Sequence, residues 1–176
     1  MKFNYPAFKA IYLHEMDRFR RTLMQSLLSP VLSTSLYFIV FGSVIGGYVE
    51  KIDGISYGSY IVPGLLMLTL LTQSITNTSF GIFFPKFNGT IYEILAAPIS
   101  TLEIVLAFVG AGATKTLIVG VVIFITANFF VEVDVKYPLL VVFLLMLVAF
   151  TFALFGFLIG LMSSNFEQMS IIPTLI

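Results

Sequence analysis

The sequence predicts an all-α integral membrane protein: an N-terminal amphipathic interfacial helix, four transmembrane helices and the start of a fifth. Three observations carry that reading. Of 176 residues, 59% are hydrophobic and only 10% are charged, where a soluble domain carries roughly 25% charged residues. The mean hydropathy is +1.04. Four stretches supply the ~20 apolar residues that a helix needs to cross ~30 Å of hydrocarbon, and none alternates like a barrel strand. This composition excludes a soluble enzyme, a disordered chain and a nucleic-acid binder. The formal net charge is zero, so no global field draws in acidic partners. With no cysteine and one histidine, His14, the chain offers no disulfide framework, thiol nucleophile or metal-ligand set. His14 reads as solvated or headgroup-facing.

Taken in order, the elements form one incomplete transmembrane domain over residues 1–176. Residues 5–25 read as the amphipathic helix. Phe8, Ile11, Tyr12, Met16, Phe19 and Leu23 recur at spacings of three and four, Lys9, Asp17, Arg18, Arg20 and Arg21 take other faces, and Pro6 fits the first turn. Such a helix lies in the headgroup layer, basic side toward anionic lipid. It serves as a connector to the first span, as an elbow that grips a partner, or as both. The first span covers 28–47, with Ser29-Pro30 as cap and first turn and Gly46-Gly47 as its end. The second covers 60–84; Pro63-Gly64 marks a kink and Pro85 the stop. A cytoplasmic loop covers 86–100. The third span covers 102–131 and the fourth 138–163, opened by Tyr137-Pro138. Residues 169–176 begin a fifth, so the chain reads as a C-terminally shortened form of a longer membrane protein. Gly42 with Gly46, and Gly156 with Gly160, allow close helix approach, expected within one chain rather than between chains.

Basic residues set the orientation. Alternating loops place six on one side (Lys2, Lys9, Arg18, Arg20, Arg21, Lys86), two on the other (Lys51, Lys136), and Lys115 within a span. The richer side is cytoplasmic, which puts the N-terminus inside. No cleavable signal is evident.

Three places carry candidate function. Within the loop, Asn88-Gly89 is a turn signal, and Thr90 with Glu93 three residues on matches a capping box. A helix of about two turns follows until Pro98, with Ile91, Ile94 and Leu95 along one apolar edge. Such a helix suits docking into a groove of a soluble partner, or simply reconnects two spans. In the second span Gln73 and Asn77 share a side. They read as lining for a polar path or as interhelical hydrogen bonding, as do the hydroxyls of Thr69, Ser74, Thr76, Thr78 and Ser79. Lys115 is the sharpest oddity, because a charge at mid-membrane costs ~2.5–3.5 kcal/mol on insertion scales. It binds an anionic substrate or lipid headgroup at a wet interface, or it pairs with an acid from another span or subunit. Glu103, the nearest acid in sequence, is too far along a straight helix to reach it.

Residues 86–100 resemble the coupling segment of ABC transporter permeases of the type-2 exporter family. That segment has a Gly-Thr-x-x-Glu-x-Leu run before Pro and a small residue, here Gly89, Thr90, Glu93, Leu95, Pro98 and Ser100. The runs Leu36 to Gly42, Tyr60 to Gly64, Gly110 to Gly120 and Ile172-Pro173-Thr174 are similar in the same order. The resemblance implies a bacterial inner-membrane, multi-pass permease subunit of an ATP-driven exporter that pairs as a dimer with two ATPase subunits. It also implies six spans in a complete chain, so that the fifth and sixth spans are missing here. Gly89, Thr90, Ile91, Glu93, Ile94, Leu95 and Pro98 would couple to the ATPase, and Gln73, Asn77 and Lys115 would line the path. No phosphate-binding loop occurs, so ATP would sit on the partner, and this chain would be neither an enzyme nor a cofactor carrier. Drugs, lipids and polysaccharides are all cargo of the wider family. Two rivals stand beside this reading. A secondary ion-coupled carrier would need acidic groups inside its spans, which are scarce. A non-transporting remnant would assemble with a full-length permease.

Overall fold

The computed structural model describes residues 3–45, 51–52, 54–131, 133 and 135–175. Helix α1 (Tyr5–Arg21) starts at Asn4, whose side-chain oxygen accepts from the Ala7 amide at 3.3 Å. It stops at Thr22, whose amide and hydroxyl both turn back to the Arg18 and Phe19 carbonyls. Helix α2 (Leu23–Tyr37) runs directly into a π-helical segment, Phe38–Ile45. The expected Gly46-Gly47 stop and the Gly42–Gly46 pair involve residues outside those described, as does Ile176.

Strands β1 (Lys51–Ile52) and β2 (Ile55–Ser56) form a minimal antiparallel hairpin. Its turn uses Gly54 at φ +84°, a left-handed conformation that glycine adopts without steric cost. The long helix α3 (Tyr57–Asn88) follows, capped by the Ser56 hydroxyl and closed by Gly89 at φ +83°. The short α4 (Ile91–Ala96) leads into α5 (Thr101–Phe130). Then come α6 (Pro138–Met162), with proline in its first turn, and α7 (Phe166–Leu175). Among the described residues, four stretches are long and apolar enough to cross a membrane: Leu23–Phe41, Tyr57–Asn88, Thr101–Phe130 and Pro138–Met162.

Two prolines behave differently from their sequence reading. Pro30 was expected to open the first span and Pro85 to end the second, yet both lie inside helices, as does Pro63. For Pro30, inside the first apolar stretch, the physical reason is the solvent, whereas Pro85 sits in the last turn of α3, beside Lys86. A chain in hydrocarbon has no water to satisfy freed backbone groups, so helix is the conformation with fewest orphans even when a proline removes one bond.

Helix α3 is the axis of the bundle, with α5, α6 and the start of α7 against it, while α1 and α2 pack on α5. Glycines set the closest approaches. A Cβ on Gly156 would fall 2.5 Å from the Ile75 carbonyl oxygen, and one on Gly160 would fall 2.6 Å from that of Ser79. The Gly156–Gly160 pair therefore packs α6 onto α3 within one chain. Gly112 likewise admits Thr78 between α5 and α3. Apolar clusters fill the seams, from Ile82, Phe108 and Phe157 at one end to Phe38, Val62 and Ala127 at the other. The outward face of α6 leaves Leu139, Phe143, Leu147 and Phe155 exposed, as a lipid-facing helix requires.

The two ends differ. At one, Lys86 Nζ donates to the Leu161 and Ser163 carbonyls at 2.6 and 2.8 Å and so satisfies the C-terminus of α6. Phe166 of α7 stacks edge-on against Phe83 and Phe87. The start of α1 and the 89–100 segment lie at this same end. The hairpin, Val131 and Lys136 gather round a single recess at the other.

Gly160→Leu should force α6 off α3 and lower stability by ~1–3 kcal/mol, the usual cost of overpacking. Gly64→Ala meets open space and should be neutral or stabilising by up to ~1 kcal/mol through helix propensity. Thermal unfolding of both variants in detergent micelles checks the contrast; equal midpoints would remove the close α3–α6 seam.

Candidate functional site

The 89–100 segment forms a bracket between the two long helices. Thr90 does not cap α4 in the expected way. Its backbone is already helical (φ −62°, ψ −19°), whereas a capping residue needs an extended ψ. Its amide and hydroxyl instead donate to Asn88 Oδ1, at 3.1 and 2.7 Å. The capping box forms at the second Ser/Thr-x-x-Glu, Ser100 to Glu103, where Ser100 is extended at ψ 153°. There the Ser100 hydroxyl accepts from the Glu103 amide at 3.4 Å, and Glu103 Oε2 accepts from the Ser100 amide at 2.8 Å.

The expected apolar edge of α4 divides between two faces. Ile91 and Ile94, with Ile99, are half-buried against the cluster of Ile82, Ile104 and Phe108. Leu95 and Tyr92 point outward, 62% and 73% exposed. Glu93 and Pro98 are exposed beside them, and Gly89 supplies the turn that starts the bracket. One face therefore seats the segment on α3 and α5, and the other offers an aromatic, an aliphatic and a carboxylate to the outside. Asn4 fastens the start of α1 to the same place. Its side-chain amide donates to the Pro98 carbonyl at 3.1 Å, and its backbone amide donates to Glu103 Oε1.

A polar cleft runs up the bundle between α2 and α3. It stays open because α2 packs on α5. Gln73 and Asn77 sit on this cleft, and Asn77 donates to Gln73 at 3.3 Å. Gln73 lines an upper cavity of about 370 Å³ with Ser29, Ser33, Thr34 and Tyr37 of α2. Asn77 lines a lower cavity of about 140 Å³ with Arg18, Ser26, Thr76 and Lys115. The hydroxyls of Thr69, Thr72 and Ser79 donate to carbonyls one turn back on their own helix. Their hydrogens are thereby committed; Thr69 and Thr72 keep acceptor lone pairs on the upper cavity, while Ser79 is buried on the side that meets Gly160 of α6.

Lys115 is 3% exposed, and its partner is one the sequence reading missed. Glu15 of α1, 2% exposed, accepts from Lys115 Nζ at 2.7 Å through Oε2. Arg18 Nη2 reaches the same oxygen at 2.9 Å. Glu15 Oε1 has no hydrogen-bond partner among the described residues. Tyr12 adds a hydrogen bond to Thr114 at 2.9 Å, so α1 runs beside α5 with its polar groups in register: Asn4 on Glu103, Tyr12 on Thr114, Glu15 on Lys115. A sequence signal for Glu15 exists. It falls on the same helical face as Phe8, Tyr12 and Phe19, so it is an acid on an apolar stripe. His14, one position away, is exposed.

Four apolar helices long enough to cross a bilayer, around buried charges satisfied from inside, define a polytopic α-helical membrane protein. A family model described as ABC-2 type transporter matches residues 6–176. The chain belongs to that family. Proteins called "Inner membrane transport permease YadH" from Escherichia coli (strain K12), Escherichia coli O157:H7 and Shigella flexneri are each 37% identical over 170 residues, 97% of this chain. The chain spans 66% of the length of these relatives. No solved structure matches.

Removing one member of a buried ion pair strands the other, typically at ~3–5 kcal/mol. Lys115→Met should therefore release α1 from α5 more than Arg18→Gln does, because Arg18 is a third exposed. Adding Glu15→Gln to Lys115→Met should recover part of the loss. Amide exchange along α1 reads the difference, and identical protection in all three variants would contradict the clamp.

Proposed function

We propose that the chain is the membrane-spanning permease part of an ATP-driven exporter in a bacterial inner membrane. The bundle lines the path, and a separate ATPase subunit docks on residues 89–100. The observation that carries this reading is the two-sided bracket: Ile91, Ile94 and Ile99 seated on α3 and α5, Tyr92, Glu93 and Leu95 presented outward. A partner that pushes on such a segment moves two long helices at once. Switching between inward-facing and outward-facing arrangements needs such a lever.

The family membership supports the permease role, and the names of the similar proteins support transport across an inner membrane. The chain segments before the first span and around α4 carry Lys2, Lys9, Arg18, Arg20, Arg21 and Lys86, against Lys51 and Lys136 at the hairpin end. By the positive-inside bias the α4 end is cytoplasmic. The N-terminus then lies inside, and the hairpin end faces out. The α2–α3 cleft, with Gln73 and Asn77 and ending at Lys115, is the polar route through the bundle, and pairing with a second permease subunit would close its open side. ATP would be bound and hydrolysed on the partner.

Leu95→Asp and Tyr92→Asp alter the outward face without touching the seat. Each should cut co-purification of an ATPase subunit from native membranes by ~10-fold or more, the weight of an interface anchor, at an unchanged unfolding midpoint. Ile94→Asp should lower both, because it breaks the seat. Undiminished recovery of the ATPase with Leu95→Asp would reject the docking assignment.

A further inference from the structure

The cluster around Lys115 carries more positive than negative charge, and it opens on a cavity. Two cations, Arg18 and Lys115, converge on one carboxylate oxygen of Glu15. The balance is one positive charge in a largely buried place, a costly state inside a membrane protein without a counter-ion. Both cations line the cavity of about 140 Å³ whose polar wall is Thr22, Ser26, Thr76 and Asn77. Every ionisable residue on that wall is a cation. Phe19 and Phe80 close the remaining sides.

Size narrows the ligand. The volume equals roughly four or five waters at ~30 Å³ each, well under the ~300 Å³ at which sites for drug-sized molecules begin. It admits a phosphate group and excludes a drug or a sugar chain. Guanidinium and ammonium donors beside hydroxyl and amide groups suit a phosphate oxyanion.

Depth favours a lipid as the source. The 30 residues of α5 span about 45 Å, roughly 15 Å more than the hydrocarbon layer. The excess belongs at the Thr101 end, where Glu103, Asn4 and the 89–100 bracket form a polar junction. Lys115 stands about 21 Å from Thr101 along the helix, which places it near the hydrocarbon boundary on that side rather than at the midplane. That is within reach of a headgroup drawn slightly inward. Arg20 and Arg21, both exposed, end α1 within one turn of Arg18.

We propose that Arg18 and Lys115, facing the cavity walled by Ser26, Thr76 and Asn77, bind the phosphate of an anionic lipid. The inference does not rest on the transport reading, since binding needs no ATPase and no cargo.

The test uses the purified full chain in nanodiscs with spin-labelled phosphatidylglycerol against spin-labelled phosphatidylcholine, read by electron paramagnetic resonance. The chain should show a saturable preference for phosphatidylglycerol that excess inorganic phosphate does not displace. Arg18→Gln keeps the Glu15–Lys115 pair and should weaken that preference by ~10-fold, the equivalent of one charge-assisted hydrogen bond. The double variant Arg20→Gln/Arg21→Gln should retain it. Glu15→Gln removes the competing carboxylate and should raise it; a purely structural role for the cluster predicts no such rise. If Glu15→Gln fails to fold, Arg18→Gln decides alone. An unchanged preference in Arg18→Gln, or its loss in the double variant, overturns the site in favour of diffuse surface attraction. Displacement by inorganic phosphate would overturn the lipid as its source.

Discussion

A lysine halfway along a 30-residue apolar helix has to find a carboxylate inside the protein, and here the carboxylate comes from one hundred residues earlier in the chain. That pairing dictates much of the arrangement around it. To bring Glu15 to Lys115, α1 must run beside α5 rather than apart from it. Once α1 is there, Tyr12 meets Thr114 and Asn4 meets Glu103 with no further adjustment. Phe19 is carried into the seam with Leu66, Leu70, Val119 and Ile123. Helix α2, continuing from α1, is held against α5 in turn, and the α2–α3 cleft is left open as the consequence. In water such a pair would contribute little. In a membrane the alternative is an unpaired charge, so the constraint becomes architectural.

The second constraint is close approach. Large side chains along α6 face lipid, and small ones, Ala149, Ala153, Gly156 and Gly160, face α3. Lipid is as apolar as leucine, so burying leucine between helices gains nothing there. Contact between backbones gains dispersion and excludes lipid tails. This explains why α3, with many small and hydroxylated residues, is the axis, while the most hydrophobic helix is peripheral.

Much of the fold could be read from the sequence because the bilayer reduces the choice of structure. Apolar length alone marked the spans, and the turn at Gly89 followed from Asn88-Gly89. Local rules failed where the membrane overrode them: Pro30 did not break its helix. They also failed where two equal motifs competed. Thr90 to Glu93 and Ser100 to Glu103 have the same pattern, and only backbone conformation at the first residue decides which one caps. The site was legible in part. Gln73, Asn77 and Lys115 stood out as polar groups in apolar stretches. Glu15 did not, because the basic residues around it made it look like an ordinary member of a solvated face. Only its register with Phe8, Tyr12 and Phe19 marks it as buried.

The two polar junctions along α1 are physically connected, and this bears on how movement at one end could be felt in the middle of the bundle. Asn4 binds the Pro98 carbonyl and Glu103, at the exit of the 89–100 bracket. Eleven residues further on, Glu15 binds Lys115 beside the cleft. Between them α1 is an unbroken helix with a hydroxyl contact to α5 at its centre. A helix of this kind transmits displacement along its axis, because its backbone hydrogen bonds would have to break before it shortened. A displacement of residues 89–100 would have two ways to the cleft: through the seat of Ile91 and Ile94 on the long helices, and through Asn4 along α1 to the ion pair. The second ends on a charge cluster that rests on one carboxylate oxygen, Glu15 Oε2, while Oε1 makes no hydrogen bond among the described residues and has His14 Nδ1 at 4.0 Å. Rotation of that carboxylate would exchange which oxygen serves the two cations. The ion pair is thus a point where a small axial shift of α1, felt also by Phe19 in its seam, can change the electrostatics of the lower cleft.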